Sequence, residues 1–278
     1  MISCSFFGGL GNNLFQLATV YNIHKKYGFD LKIPTTVSRV GIEQFGQSNK
    51  LEFEDLFENI FQYDDNLVNT LTHYGHTDVH LKSYNYTPIN VSDNTCYFGY
   101  FQSYKYFNDV DISKEFILKS DNISFLKEKY DNIFHKKTIS LHFRLGGDRV
   151  TQHMQFFHKN LSLDFYKEAL KIIDYNEDDY NILIFTDNVP ICVTYYLNNL
   201  GFKKNIYIID NNNNNVLDFT LMSMCDINVV SNSTFSWWAA YMNQKQNKKI
   251  IVTEKEWFGP GYKHFDLTDT FPKEWIRI

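Results

Sequence analysis

From residue 137 onward, apolar and polar positions follow a regular alternation of two periods. TISLHFR, NILIFTD, IYIID, INVV and KIIVT are short, nearly continuous β-branched and aromatic runs, the pattern of strands buried on both faces. Between them lie DFYKEALKIID, VPICVTYYLNNLG, VLDFTLMSMC and FSWWAAYMN, with apolar residues at helical spacing. Phe165, Ala169, Leu170 and Ile173 share one face of the first, and Gly201 closes the second. Strands alternating with helices predict a parallel sheet covered by helices on both faces. The asparagine run 211–215 reads as a solvated loop without a functional part.

The amino-terminal half opens in a similar way. ISCSFF (2–7) reads as a strand, GGLGNN as a turn and LFQLATVYNIHKKYG as an amphipathic helix stopped by Gly28. Leu14, Leu17, Ala18, Tyr21 and Ile23 fall mostly on one face of that helix, and LKIP reads as a second strand. Residues 35–95 are less periodic; CYFGYF then reads as a strand, and QSYKYFNDV, SKEFIL and FLKEKYDNIF as helical pieces. The change of regularity near residue 136 predicts two α/β domains, 1–136 and 137–278, with a cleft between them.

Composition narrows the choice of partner. At 278 residues the chain can form two domains with substantial cores. A net charge of −5 without a basic run argues against a nucleic-acid groove and an anionic membrane surface. An anionic ligand must therefore be held by a few placed groups. Cys4, Cys96, Cys192 and Cys225 are scattered, which fits reduced thiols, partly buried. No apolar run approaches the roughly 18 residues of a transmembrane segment, and the first strand follows Met1 too closely for a signal peptide. A cytoplasmic protein is expected. The sequons at Asn85, Asn90, Asn122, Asn160 and Asn232 carry no weight in so asparagine-rich a chain. His73, His76 and His80 have suggestive spacing, but no fourth ligand accompanies them, so no metal is expected.

The candidate chemistry gathers at strand ends. After Val229 and Val230 come Ser231, Asn232, Ser233 and Thr234, then Phe235 and the rest of an aromatic helix. Small hydroxyls at a helix N-terminus beyond a parallel strand suit a phosphate, although they suit an ordinary cap as well. TISLHFR ends on His142-Phe143-Arg144-Leu145-Gly146-Gly147-Asp148. A guanidinium beside a glycine turn can bond two phosphate oxygens at once, and Asp148 can orient it or act on a hydroxyl. Thr186-Asp187-Asn188 ends a third strand, and Asp218 opens a helix. Gly9-x-Gly11 lacks the third glycine of a dinucleotide fingerprint, Leu14 standing there, and no G-K-[ST] follows for a P-loop. What remains is a turn of bare backbone, with Asn12 and Asn13 opening a helix. No Ser-His-Asp order or nucleophilic cysteine setting is present. The residues together predict a site for a nucleotide diphosphate or nucleotide sugar, without a divalent metal.

These stretches, with Gly99-Tyr-Phe-Gln-Ser-Tyr-Lys-Tyr-Phe107 between them, resemble the α-1,2-fucosyltransferase family. Residues 8–16 look like its G-G-L-G-N-Q-L-F-Q opening, residues 142–148 like its H-x-R-R-G-D motif, and residues 231–240 match S-N-S-T-F-S-W-W-A-A throughout. The resemblance implies a GT-B-like fold of two Rossmann-like α/β domains. It also implies an inverting, metal-independent transfer of L-fucose from GDP-fucose to a glycan hydroxyl, O2 of a terminal galactoside. By this likeness the carboxyl-terminal domain binds the GDP-sugar and the amino-terminal one forms the acceptor side, with acceptor loops at 35–95 and 149–160. His142 and Asp218 would meet the guanine and Arg144 the β-phosphate. Ser233, Thr234 and Phe235 would cradle the pyrophosphate, while Gly9, Gly11 and Asn12 face the donor from the other domain. Asp148 would take the acceptor proton. The chain departs from the motif at Leu145, where an arginine is expected, and by one extra glycine before Asp148. Lys105 or Arg149 is the expected replacement charge. The departure leaves two alternatives, transfer of another nucleotide-linked sugar and binding without turnover.

Overall fold

A computed structural model describes residues 1–37, 50–75 and 85–278, the side chains of Val68 and Asp148 excepted. The chain divides into two compact units, Met1–Ile117 with Phe265–Lys273, and Leu118–His264 with Glu274–Ile278.

The second unit is built on a six-stranded sheet: β4 (Lys137–Phe143), β5 (Tyr180–Thr186), β6 (Ile206–Ile208), β7 (Ile227–Val229), β8 (Lys249–Val252) and β9 (Ile276–Arg277). All its pairings are parallel, in the order β6-β5-β4-β7-β8-β9. The chain steps outward from β4 to β6, returns to β7 beside β4, and steps outward the other way. This is the doubly wound Rossmann order, and its reversal between β4 and β7 is where such sheets bind ligands. Ile139, Leu141, Ile182, Ile184, Val229 and Ile251 are all at most 1% exposed, as strands covered on both faces require.

Among the described residues, the helices of eight or more residues are α1 (Leu10–Tyr27), α2 (Ser120–Lys129), α3 (Leu163–Ile173), α4 (Asn215–Ser223) and α5 (Thr234–Tyr241). The face predicted for α3 is the buried one: Phe165, Ala169, Leu170 and Ile173 all enter the core. The VPICVTYYLNNL helix contains a π-helical stretch, Cys192–Leu197, and Gly201 closes it in the left-handed conformation. The paired tryptophans of α5 are core: Trp237 and Trp238 are 0% exposed and meet edge to face at 5.2 Å. Burial of about 200 Å² on each contributes about 5 kcal/mol apiece, which seats the N-terminus of α5 firmly.

The first unit carries a three-stranded parallel sheet in the order β1-β3-β2, from β1 (Ile2–Cys4), β2 (Thr72–Gly75) and β3 (Thr95–Phe98). Three expectations for this half need correction. LKIP makes only single bridges, Leu31 to Ile2 and Ile33 to Tyr63. QSYKYFNDV and SKEFIL shrink to one turn each, Tyr104–Phe107 and Ile112–Glu115. Helix α1 begins at Leu10, so Gly11, Asn12 and Asn13 lie in its first turn, and it is buried on nearly every side rather than along one stripe. Its early start has a tertiary cause. Asn13 Nδ2 donates to Phe7 O at 3.1 Å, Phe7 N donates to Gln16 Oε1 at 3.2 Å, and Gln16 Nε2 donates to Gly99 O at 3.1 Å. All four cysteines are buried thiols, as expected. No helix among the described residues is long and apolar enough to cross a membrane.

Candidate active site

The ends of β4 and β7 bring two of the predicted clusters into contact. His142 Nδ1 and Ser231 Oγ lie 2.6 Å apart, and Ser231 Oγ is 3.3 Å from Ser236 Oγ. The backbone of His142 is held from beneath, where Tyr166 Oη donates to its carbonyl at 2.8 Å. Burial, reinforced by the charges of Arg144 and Arg149, drives the imidazole pKa down to about 3. His142 is therefore a neutral, fixed hydrogen-bonding group at any pH near neutrality.

Arg144 emerges just beyond the strand, partly exposed, and is ion-paired with Asp187 at the end of neighbouring β5. Asp187 Oδ1 also accepts the Leu145 and Gly146 N–H groups, each at 2.7 Å. One carboxylate thus sets both the turn and the guanidinium. The two glycines have separate reasons. A Cβ on Gly146 would stand 2.8 Å from Asp187 O, and Gly147 has a φ of +58°, where a Cβ would stand 3.3 Å from Arg144 Nη2. The added glycine thus gives the chain a left-handed turn flat against the arginine.

Leu145 is 1% exposed and part of the core, so an apolar contact occupies the place of the second arginine. Of the two candidate replacements, Lys105 is ion-paired with Asp269 in the first unit. Arg149 is buried under the 231–235 segment and donates to Asn232 Oδ1 and Asn232 O at 2.6 Å each and to Lys159 O at 2.9 Å. Asp148 lies in the turn Gly147–Val150, and its side chain is outside what the structure describes.

At the head of α5, Ser233 has extended backbone angles, and its hydroxyl makes no cap bond to the helix it precedes. Its N–H donates to Ser231 O at 2.7 Å, and its carbonyl accepts Trp237 N at 3.1 Å and Ser236 Oγ at 3.3 Å, so the turn is held without the Ser233 side chain. Ser233, Thr234 and Phe235 are partly exposed, whereas Asn232 is buried. A helix N-terminus with its capping hydroxyl uncommitted is suited to an anion.

The Phe235 ring joins this region to Phe219, the neighbour of Asp218 in α4. Its centroid is 6.0 Å from His142 on one side and 5.7 Å from Phe219 on the other. Asp218 lies in the first turn of α4, but the cap is Asn214, whose side chain accepts Leu217 N at 3.1 Å. Burial raises the Asp218 pKa from its ordinary 3.8 to about 6. Asn211 Nδ2 donates to Asp218 Oδ1 at 2.8 Å, while Lys129 Nζ and Tyr130 Oη donate to Asn211 Oδ1 at 2.8 and 2.9 Å. The asparagine run is therefore not wholly solvated: Asn211 turns inward and bonds Asp218, which its sequence context conceals.

In the first unit, Gly9 caps α1 in an extended conformation, Gly11 is buried in the first turn, and Asn12 Oδ1 accepts Gln102 Nε2 at 2.8 Å. Asn13 and Gln16 serve the fold of that unit. His73 is exposed on β2, while His76 and His80 lie outside the described residues.

A Rossmann-order sheet with an arginine and an open helix N-terminus at its reversal point suits an anionic ligand such as a nucleotide phosphate. The chain belongs to glycosyl transferase family 11, whose model matches residues 1–278. It is 28% identical to the O-antigen biosynthesis glycosyltransferase WbnK of Escherichia coli, over the full length of both chains. It is 22% identical to an α-1,2-colitosyltransferase of Escherichia coli, covering 98% of this chain and 96% of that one. Among solved structures it is similar to the α-1,6-fucosyltransferase NodZ from Bradyrhizobium soaked with GDP-fucose. There the TM-score is 0.56 at 14% identity, covering 93% of this chain and 96% of that one. The fold is α/β and GT-B-like, as expected, and the chain is a glycosyltransferase.

Proposed function

We propose that this protein is an inverting transferase that moves L-fucose from GDP-fucose to a glycan hydroxyl, O2 of a terminal galactoside. The observation that carries the reading is Arg144, presented at the β4–β7 reversal and oriented by Asp187. As the sugar–phosphate bond breaks, negative charge grows on the β-phosphate and the sugar becomes oxocarbenium-like. A guanidinium already aimed at that phosphate stabilises the transition state more than the ground state. Ser233, Thr234 and Phe235 offer the other phosphate contacts at the head of α5. Neutral His142, packed against Phe235, and the carboxylate of Asp218, next in the chain to the Phe219 that packs on the same ring, suit the guanine, whose N1–H and amino group need an acceptor. Arg144 and the helix N-terminus take the role of a divalent ion, so transfer is proposed to need no metal. Asp148 is proposed to accept the acceptor proton, and the first unit to supply the acceptor side.

A second reading, transfer of another nucleotide-linked sugar, is favoured by the relative that is by name a colitosyltransferase, and by the loss of the motif's second arginine at Leu145. NMR of the product formed from GDP-fucose and lactose or N-acetyllactosamine decides between them. An α-fucosyl group on galactose O2 is the expected product. No fucosyl product, with turnover of a different GDP-sugar offered in parallel, would establish the second reading.

A further inference from the structure

We propose that Arg149 is the positioning residue of the diphosphate subsite, clamping Asn232 so that the head of α5 is set for the anion before it arrives. This rests on the reading of the 231–235 segment as the pyrophosphate cradle. Arg149 is 4% exposed, and the three oxygens it holds at 2.6–2.9 Å, Asn232 Oδ1, Asn232 O and Lys159 O, are all neutral. A fork bonding the side-chain and main-chain oxygens of one residue fixes that residue's rotamer and peptide plane together. Asn232 is gripped from its other end as well: its Nδ2 donates to Lys159 O at 2.8 Å and Trp257 O at 3.1 Å. The next residue is Ser233, where the extended chain turns into α5.

Burial leaves the positive field of Arg149 little screened by solvent. That field reaches the site, for Arg149 adds to the burial and the Arg144 charge that keep His142 neutral. The family's motif places its second cation next to Arg144. Here that place is core, and the charge comes instead from beneath the cradle, five residues along from Arg144. Arg149 thus touches Asn232 rather than ligand, and acts on the phosphates through the loop it holds and through its field.

Calorimetric titration of the whole protein with GDP and with guanosine, on wild type, Arg149→Gln and Arg149→Lys, tests this. Guanosine affinity should stay within about twofold of wild type in both variants, because base contacts are untouched. GDP affinity should fall about ten- to a hundredfold in Arg149→Gln, the scale of one or two hydrogen bonds involving a charge. Arg149→Lys keeps the charge but cannot bridge both oxygens of Asn232, so its loss should be intermediate. If GDP binds both variants as tightly as wild type, or if GDP and guanosine affinities fall together, the proposal is overturned. Should the glutamine variant fail to fold, the lysine variant carries the comparison. A wild type that binds no GDP would instead overturn the diphosphate reading itself, and this proposal with it.

Discussion

Asp218 is held in a state that weakens the fold, and Asp218→Asn should expose the reason. Its carboxyl titrates at about 6 in the folded chain against an ordinary 3.8. The native state therefore binds more protons than the unfolded chain between those two values, and stability falls as the pH rises through that window. Above it, the ionised, partly buried carboxylate costs about 3 kcal/mol, or about 2 kcal/mol once its partial exposure is allowed for. Asparagine resembles the protonated acid, so the variant should melt about 5 °C higher than wild type at pH 7.5. The gap should close as the pH falls below 4. A carboxylate kept ionised at that cost is explained by a ligand that needs an anionic acceptor. The more stable variant should accordingly bind GDP about ten- to a hundredfold more weakly at pH 7.5. In wild type, GDP affinity should rise as the pH passes 6. Melting curves from pH 4 to 8 with parallel GDP titrations read both effects. An asparagine variant that is no more stable at pH 7.5, or that binds GDP as well as wild type does, refutes the reasoning.

Asp187→Ala removes the acceptor of the Leu145 and Gly146 N–H groups and the partner of Arg144. It should lower stability by about 2–3 kcal/mol and slow transfer, as seen in denaturant midpoints and initial rates. Gln16→Ala strips the bonds to Phe7 N and Gly99 O from a fully buried site. A loss of about 2–4 kcal/mol is expected, and amide hydrogen exchange should report it first in α1 and β3.

The sequence reads well where burial is uniform. β4, β5, β7 and β8 are apolar runs because both faces are covered, and the three polar clusters stand out because each interrupts such a run at its carboxyl end. β9 escapes notice because it is two residues long, in an irregular tail, and takes its definition from β8. GGLGNN reads as a turn, yet its last four residues are helical, because Asn13 and Gln16 fold back on Phe7 against the local propensity of Gly and Asn. Asn211 is indistinguishable in sequence from the four asparagines after it. Asn212 and Asn213 adopt the left-handed conformation that lets the chain turn while Asn211 faces inward. Arg149 stands out in the sequence only as a nearby charge; its hold on Asn232 is hidden, since its acceptors at Lys159 and Asn232 are distant in the chain. The bonds Asn85 to Asp266 and Ser103 to Asp269 fasten residues 265–273 to the first unit, a return of the chain that no pattern in those residues announces.

Arg144 at the β4–β7 reversal is proposed to stabilise the departing diphosphate. The most direct measurement is GDP release from GDP-fucose by wild type and Arg144→Ala, with and without lactose. Acceptor-stimulated release that falls about 100- to 1000-fold in the variant, with its fold intact by melting, is the predicted result. Equal release by the two proteins would contradict the account.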